Sequence, residues 1–348
     1  MKKIAIIGSF CKGCYLLDGQ TVKTKTLASE LLNIYGKDNV LCIDTYGKIN
    51  NILSVLKCIW VLFFYRNIMI LPAQNALKVL APWLTFWNTF FKRRTHYVVI
   101  GGWLNGYLDA FPIVEKSLHK FHYIYVETQT MKNALIKRGF TNIIILPNCK
   151  DLQILTKKDM ETSFVMPYKL VTFSRVMQQK GIEDALRVVS NINLEAKKEV
   201  FALDIYGQVD PEEIEWFEEV KAKYNLMSTK SILQYKGEVS PNKSVEILSN
   251  YFALLFPTRF YTEGIPGTII DSYAAGIPVI SAKWESFNDV VNDGITGIGF
   301  EFENWEELKN ILIHIGMKPE IIYQKKAACL KRATDFLPSN VVPIIDLK

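Results

Sequence analysis

Short apolar runs alternate with longer amphipathic stretches along the chain, and the alternation occurs twice. In the first half, β-rich runs stand at KIAII (3–7), VLCI (40–43), NIMIL (67–71), HYVVI (96–100), YIYV (123–126) and NIIIL (142–146). In the second they stand at KLVTF (169–173), FALDIY (201–206), SILQY (231–235), ALLF (253–256), IPVIS (277–281) and GIGFEF (297–302). The gaps read as helices, such as 20–36 and a Lys-rich segment at 319–335. Strands alternating with helices predict parallel sheets covered on both faces. Two such series predict an α/β architecture of two doubly wound domains facing each other across a cleft. Polarity rises at DMETSFVMP (159–167), which places the link there. The expected domains are 1–165 and 166–330, with a tail, 331–348, crossing back to the first.

Composition narrows this picture. A chain of 348 residues exceeds the usual span of one hydrophobic core. With 49% hydrophobic and 22% charged residues it reads as folded, not disordered. Six cysteines without regular spacing suggest no disulfide framework, and the N-terminal apolar run is too short for a signal peptide, so a reduced, cytoplasmic protein is expected. The net charge of +6 hides an asymmetry. Residues 1–165 carry 21 Lys/Arg against 10 Asp/Glu; the remainder carries 20 against 25. A basic half points to an anionic partner. No nucleic-acid-binding motif or Arg-rich helix supports a nucleic acid.

Two stretches of that half could meet a membrane. ILSVLKCIWVLFF (52–64) is too short to span a bilayer. LKVLAPWLTFWNTFFKRR (77–94) suits a helix lying among headgroups, with aromatics buried and Lys92, Arg93 and Arg94 near anionic lipid. The plainer reading makes both of them core helices of a parallel-sheet domain.

In open parallel sheets, ligands bind beyond the carboxyl ends of the strands, so motifs that follow strands carry the chemistry. After the first run comes GSFCKGCYLLDGQTVKTK, in which Gly19 would let a ligand approach a helix start. It is not the GxGxxG fingerprint, and only Asp44 closes the second run, which disfavours a nicotinamide dehydrogenase. Cys11 and Cys14 form a lone CxxC without zinc or redox partners and read as incidental. Arg175 and Lys180, after KLVTF, can neutralise a diphosphate, one as a fork and one as a point charge. In TRFYTEGIPGTIID (258–271), a helix start near Gly267 offers the N–H groups of Gly267, Thr268 and Ile269 to an anion. Carboxylates do not bind phosphate, so Glu263 and Asp271 on either side are read as hydroxyl acceptors. A diphosphate flanked by hydroxyls describes a nucleotide sugar.

These motifs resemble the retaining GT-B glycosyltransferases of the family 4 type, the glycosyl transferases group 1. Their paired glutamates, with seven residues between them, correspond here to Glu263–GIPGTII–Asp271. The likeness extends over nearly the whole chain: DGQT after the first run, LPNC (146–149), SRV…KG, AAGIPVISA and NDGITGIGFEF. It implies a GT-B fold of two Rossmann-like domains, and a similarity to enzymes of capsule and O-antigen assembly. By the same likeness Arg175 and Lys180 bind the leaving diphosphate and Glu263 takes the donor sugar's hydroxyls, these three being the catalytic set. Gly264, Ile265, Pro266, Gly267 and Thr268 complete the sugar and phosphate pocket. Asp271 holds the ribose, Gly19 lines the phosphate from the first domain, and Val239 lies where the base is held. The implied reaction uses no metal and no cofactor. Its partners are a nucleotide-sugar donor, a UDP-sugar first among them, and a saccharide or undecaprenyl-diphosphate-linked acceptor. The protein would work in the cytoplasm, peripherally at the inner membrane face.

The chain departs from the family pattern twice. Asp271 is one methylene shorter than the family's second glutamate. Gly101 and Gly102 stand where many members have a His, while His96 reads as structural. A sugar-nucleotide epimerase on the same architecture would need further acids and a His, for which no position is evident. A non-catalytic GT-B-like partner subunit is the other alternative.

Overall fold

Each of the twelve apolar runs forms a strand in the computed structural model, which describes residues 2–11, 19–46, 60–158, 163–228 and 231–347. Contacts within the chain gather these into two compact units. The first comprises Met1–Asp151, Thr262–Gly267 and Phe336–Lys348; the second comprises Leu152–Tyr261 and Thr268–Asp335. Residues 159–162 of the expected link, Cys14, and 52–59 of the first apolar stretch lie outside the described residues.

The first unit holds strands β1 (Lys2–Gly8), β2 (Val40–Asp44), β3 (Tyr65–Leu71), β4 (Arg94–Val98), β5 (Tyr123–Val126) and β6 (Ile143–Ile145). They pair in parallel in the order β2-β1-β3-β4-β5-β6. The order reverses between β1 and β3, which makes their carboxyl ends the place for a ligand. The helix Gly19–Tyr35 follows β1 and buries Lys23, Thr24, Leu27, Ala28 and Leu31, a stripe at three- and four-residue spacing. The returning segment adds Val341, Val342, Ile345 and Leu347 to a core that includes Ile4, Ile6, Met69 and Val98.

Near this tail the unit closes a polar network around His96, which is fully buried. Asn67 Nδ2 donates to the carbonyls of Lys3 and Leu347, so its Oδ1 is the acceptor for His96 Nε2 at 3.0 Å. His96 Nδ1 then accepts from the Tyr125 hydroxyl at 3.3 Å, and that oxygen accepts from the Asp346 N–H. Burial, reinforced by His122 and Arg94 and opposed by Asp346, pushes the His96 pKa down to about 3. His96 is therefore a neutral structural residue.

The second unit holds β7 (Tyr168–Phe173), β8 (Phe201–Tyr206), β9 (Leu233–Gly237), β10 (Ala253–Phe256), β11 (Val279–Ala282) and β12 (Gly297–Phe300). All pair in parallel, in the order β12-β11-β10-β7-β8-β9, the arrangement of the dinucleotide-binding folds. Its switch point lies between β7 and β10. The apolar character of ALLF follows from position: β10 is central and buried along its length. Just before it, Phe252 stacks on Tyr168 with centroids 4.7 Å apart, and Tyr168 in turn meets the Phe201 ring at a tilt; fully burying a side chain of this kind contributes about 1.5–3 kcal/mol.

The cysteines differ from expectation at one position. Cys11, read as incidental, is disulfide-bonded. Cys42, Cys149 and Cys329 are not disulfide-bonded. Burial pushes the Cys149 and Cys329 thiols up to about 12, so neither is a nucleophile at neutral pH.

Candidate functional site

At the switch point of the second unit, β7 ends in a loop carrying Arg175 and Lys180, and β10 ends in one carrying Arg259. The loops are tied by the Arg259 N–H donating to the Gln179 carbonyl at 2.8 Å. Lys180 Nζ lies 5.6 Å from the Phe256 ring centroid and 4.9 Å from that of Phe260. Aromatic faces thus hold this ammonium at the strand ends. Arg259 forks onto the buried Asp184 at 2.8 and 2.9 Å, so its charge is used internally. Arg175, more than half exposed, reaches Asp210 at 3.0 Å. Sequence places no acid between Arg175 and the following helix; the fold supplies one from the loop after β8. An exposed pair of this kind is worth about 1 kcal/mol or less, so an incoming anion can take the guanidinium over.

Val239 is half-buried in the loop after β9, on the carboxyl side of the same sheet. The helix Gly267–Ala274 begins where the glycine and proline predict. Thr268 Oγ1 is buried without a hydrogen-bond partner among the described residues, whereas Asp271 is only 3% exposed.

The first unit takes the preceding loop, Thr262–Gly267, into its own packing. Two glycines after β4 make room for it: a Cβ on Gly102 would lie 2.2 Å from the Thr262 carbonyl oxygen. This excludes a histidine at position 102 and explains one departure from the family pattern. The loop's peptide groups are then fixed from both sides. The Ile265 N–H donates to Glu127 Oε2 at 2.7 Å, and the Ile265 carbonyl accepts from Asn148 Nδ2 at 2.9 Å. Glu127 directly follows β5 and precedes Thr128, whose hydroxyl caps the helix Gln129–Lys137 by accepting from the Met131 N–H. Its Oε1 pairs with Lys23 Nζ at 2.6 Å. Lys150 lies beside Gly267, its Nζ 3.9 Å from where a Cβ on that glycine would stand.

The chain's predicted site residues therefore fall into two groups. Gly19 and Glu263 through Gly267 belong to the first unit; Arg175, Lys180, Val239, Thr268 and Asp271 belong to the second. Glu263 is half-buried, and Gly19 opens the helix Gly19–Tyr35, where nothing among the described residues lies within 4 Å of an added Cβ. Sequence reasoning missed Glu127, Lys23, Asn148 and Lys150. Among the described residues, no three His, Cys, Asp or Glu side chains are grouped as a metal ion would need.

The glycosyl transferases group 1 profile matches residues 155–330, which is 176 of the 348 residues and spans Arg175, Lys180, Glu263 and Asp271. The chain belongs to the glycosyl transferases group 1 family. No curated protein matches this group 1 chain in sequence. Among solved structures, HepE of Anabaena in complex with UDP-glucose is similar over 99% of this chain and 98% of its own, with a TM-score of 0.74 and 13% identity. The lipopolysaccharide outer core galactosyltransferase WaaB is similar over the same shares, with a TM-score of 0.71 and 15% identity. The pneumococcal O-GlcNAc transferase GtfA, solved with UDP and GlcNAc, covers 83% of this chain and 58% of its own, with a TM-score of 0.63 and 17% identity. At such identities the likeness establishes the fold: the group 1 chain has the GT-B fold, with two Rossmann-like domains.

The same family member carries an aromatic surface on its first unit. The helix Gln74–Phe91 buries Leu77, Leu80, Ala81 and Leu84 and leaves Phe86 60% and Phe90 69% exposed. Trp60, Phe63 and Phe64 are exposed beside them, with Phe63 and Phe91 rings 4.6 Å apart. Of the three cations expected to face lipid, only Lys92 is turned to solvent. Arg93 Nε donates to the Leu62 carbonyl at 2.7 Å, and Arg94 contacts Asp346 and His122. No helix among the described residues is long and apolar enough to cross a membrane.

Proposed function

We propose that this group 1 chain is a retaining glycosyltransferase of the family 4 type, moving a hexose from a UDP-sugar to a saccharide or lipid-linked saccharide acceptor. The observation that carries the reading is the group 1 match over the very residues whose chemistry suits a nucleotide sugar. Arg175 and Lys180 take the diphosphate, Asp271 the ribose, and Glu263 the hydroxyls of the sugar. UDP-glucose in HepE and UDP with GlcNAc in GtfA support a uridine donor. The acceptor hydroxyl attacks the anomeric carbon on the face the diphosphate leaves. The C–O bond to the diphosphate breaks, the departing phosphate oxygen takes the hydroxyl proton, and the anomeric configuration is kept. The protein's part is to position both substrates and to offset the charge growing on the leaving group. No metal is needed for this.

The acceptor reading, a polyprenyl-diphosphate saccharide of cell-surface polysaccharide synthesis, draws on the basic first half and its aromatic surface. WaaB, named for a lipopolysaccharide substrate, supports the same class of product. Peripheral binding at an anionic membrane face then follows from Trp60, Phe63, Phe64, Phe86 and Phe90 rather than from Arg93 and Arg94.

Glu263→Ala, assayed for transfer with a chelator present, tests the reading. Turnover should fall about 100-fold or more while UDP affinity stays within about threefold of wild type. Turnover unchanged by the substitution would contradict it.

A further inference from the structure

Lys23 and Glu127 are separated by 104 residues, pair at 2.6 Å, and are 1% and 3% exposed. Buried ion pairs are poor stabilisers, since apolar side chains of similar volume can replace them without loss. Their position explains them better. Lys23 Nζ also donates to the Val99 carbonyl at 3.3 Å, so its charge is anchored behind β4. Glu127 Oε1 faces that ammonium and the Gly101 N–H at 3.5 Å, while Oε2 faces the Ile265 N–H. A Cβ on Gly264 would lie 2.1 Å from Oε2, so the backbone beside Glu263 is pressed against this one carboxylate.

We infer that Glu127 is a positioning residue: held by Lys23, it fixes the Gly264–Ile265 peptide and thereby sets where the Glu263 side chain stands. Both Glu127 carboxylate oxygens are engaged within the protein, by Lys23 and Gly101 on one side and Ile265 on the other, so it acts through the loop. This rests on the sugar-binding role proposed for Glu263. Lys23 orients the carboxylate and neutralises it, and Asn148 holds the other side of Ile265.

Two double variants isolate the hydrogen bond from the charge. Glu127→Gln with Lys23→Met and Glu127→Ala with Lys23→Met both remove the ion pair completely, so neither leaves a buried charge alone. Only the first keeps an acceptor for the Ile265 N–H. The first should turn over within about fivefold of wild type. The second should lose kcat about 30-fold or more with UDP affinity unchanged, as expected for a displaced catalytic group. Amide exchange at Gly264 and Ile265 should be about tenfold faster in the second variant than in the first. Equal kcat and equal exchange in the two would overturn the inference. The exchange comparison needs no donor, so a wild-type chain that transfers no sugar would defeat the proposed function, while exchange still decides whether Glu127 holds the loop.

Discussion

Gly264 shows how closely one residue can be specified. Its N–Cα–C unit passes Glu127 with no room for a methyl group, the nearest oxygen being 2.1 Å from an added Cβ. Gly264→Ala must push the buried carboxylate off Ile265 or shift the loop. Overpacking of this kind costs about 1–3 kcal/mol, read as a lowered urea midpoint, and transfer activity should fall with it. Gly106→Ala, in the helix Leu104–Ala110, is the matched control, since among the described residues nothing lies within 4 Å of the added atom. The glycines of EGIPG were legible in sequence as a turn before a helix. Their tight packing was not, because the partner, Glu127, comes from a different strand end. A signal was nevertheless there: Lys23 falls four and eight residues before Leu27 and Leu31, on the apolar stripe of its helix. A charge on that stripe points inward and requires a partner. Arg175 teaches the converse, since its acid, Asp210, follows the next strand of the sheet.

At the level of elements, periodicity located every strand, because central strands of parallel sheets are apolar along their whole length. NIIIL became β6 at Ile143–Ile145 and HYVVI became β4 at Arg94–Val98, shifted by two residues where His96 and Thr95 are buried despite being polar. The helix Gln74–Phe91 is more instructive. Leu77, Leu80, Ala81 and Leu84 satisfy the core in its first three turns, and its last turns carry aromatic rings outward. Sequence suggested that its three terminal cations would meet lipid; backbone and acidic acceptors within the unit engage two of them. The aromatic residues therefore carry the membrane prediction. Vesicles containing phosphatidylglycerol should retain the wild-type protein, and Phe86→Ser with Phe90→Ser should weaken that binding about tenfold or more without lowering the melting temperature. Equal retention of both proteins would remove this surface from the account.

Over the whole molecule, the two parallel sheets follow from the twofold alternation, whereas their strand orders differ between the units and do not follow from it. The switch points then dictate where loops can bind ligands. The tail's return to the first domain was an expectation from sequence; the contacts that anchor it were not legible there. Its last residues meet β3, β4 and β5 through Asn67, Arg94 and Tyr125, contacts that exist only once the sheet is assembled, and Asn67 and Tyr125 in turn hold His96. This network makes stability pH-dependent. His96 titrates near 6.5 when unfolded and near 3 when folded, so the unfolded chain binds the extra proton between those values. Its contribution is complete above about pH 6.5 and is lost as pH falls, by about 2 kcal/mol at pH 5. Urea unfolding of wild type at pH 7.5 and pH 5 should show this loss, and His96→Gln should reduce it.

Ligand-dependent melting decides whether the chain holds the nucleotide sugar proposed for it. A ligand that binds only the folded state adds about 2.7 kcal/mol of stability at a hundred times its Kd. UDP-glucose, UDP-galactose, UDP-GlcNAc and UDP should be compared with GDP-sugars in the full chain. Tm should rise with UDP concentration, and rise further with at least one UDP-sugar. A Tm flat across all these donors would contradict it.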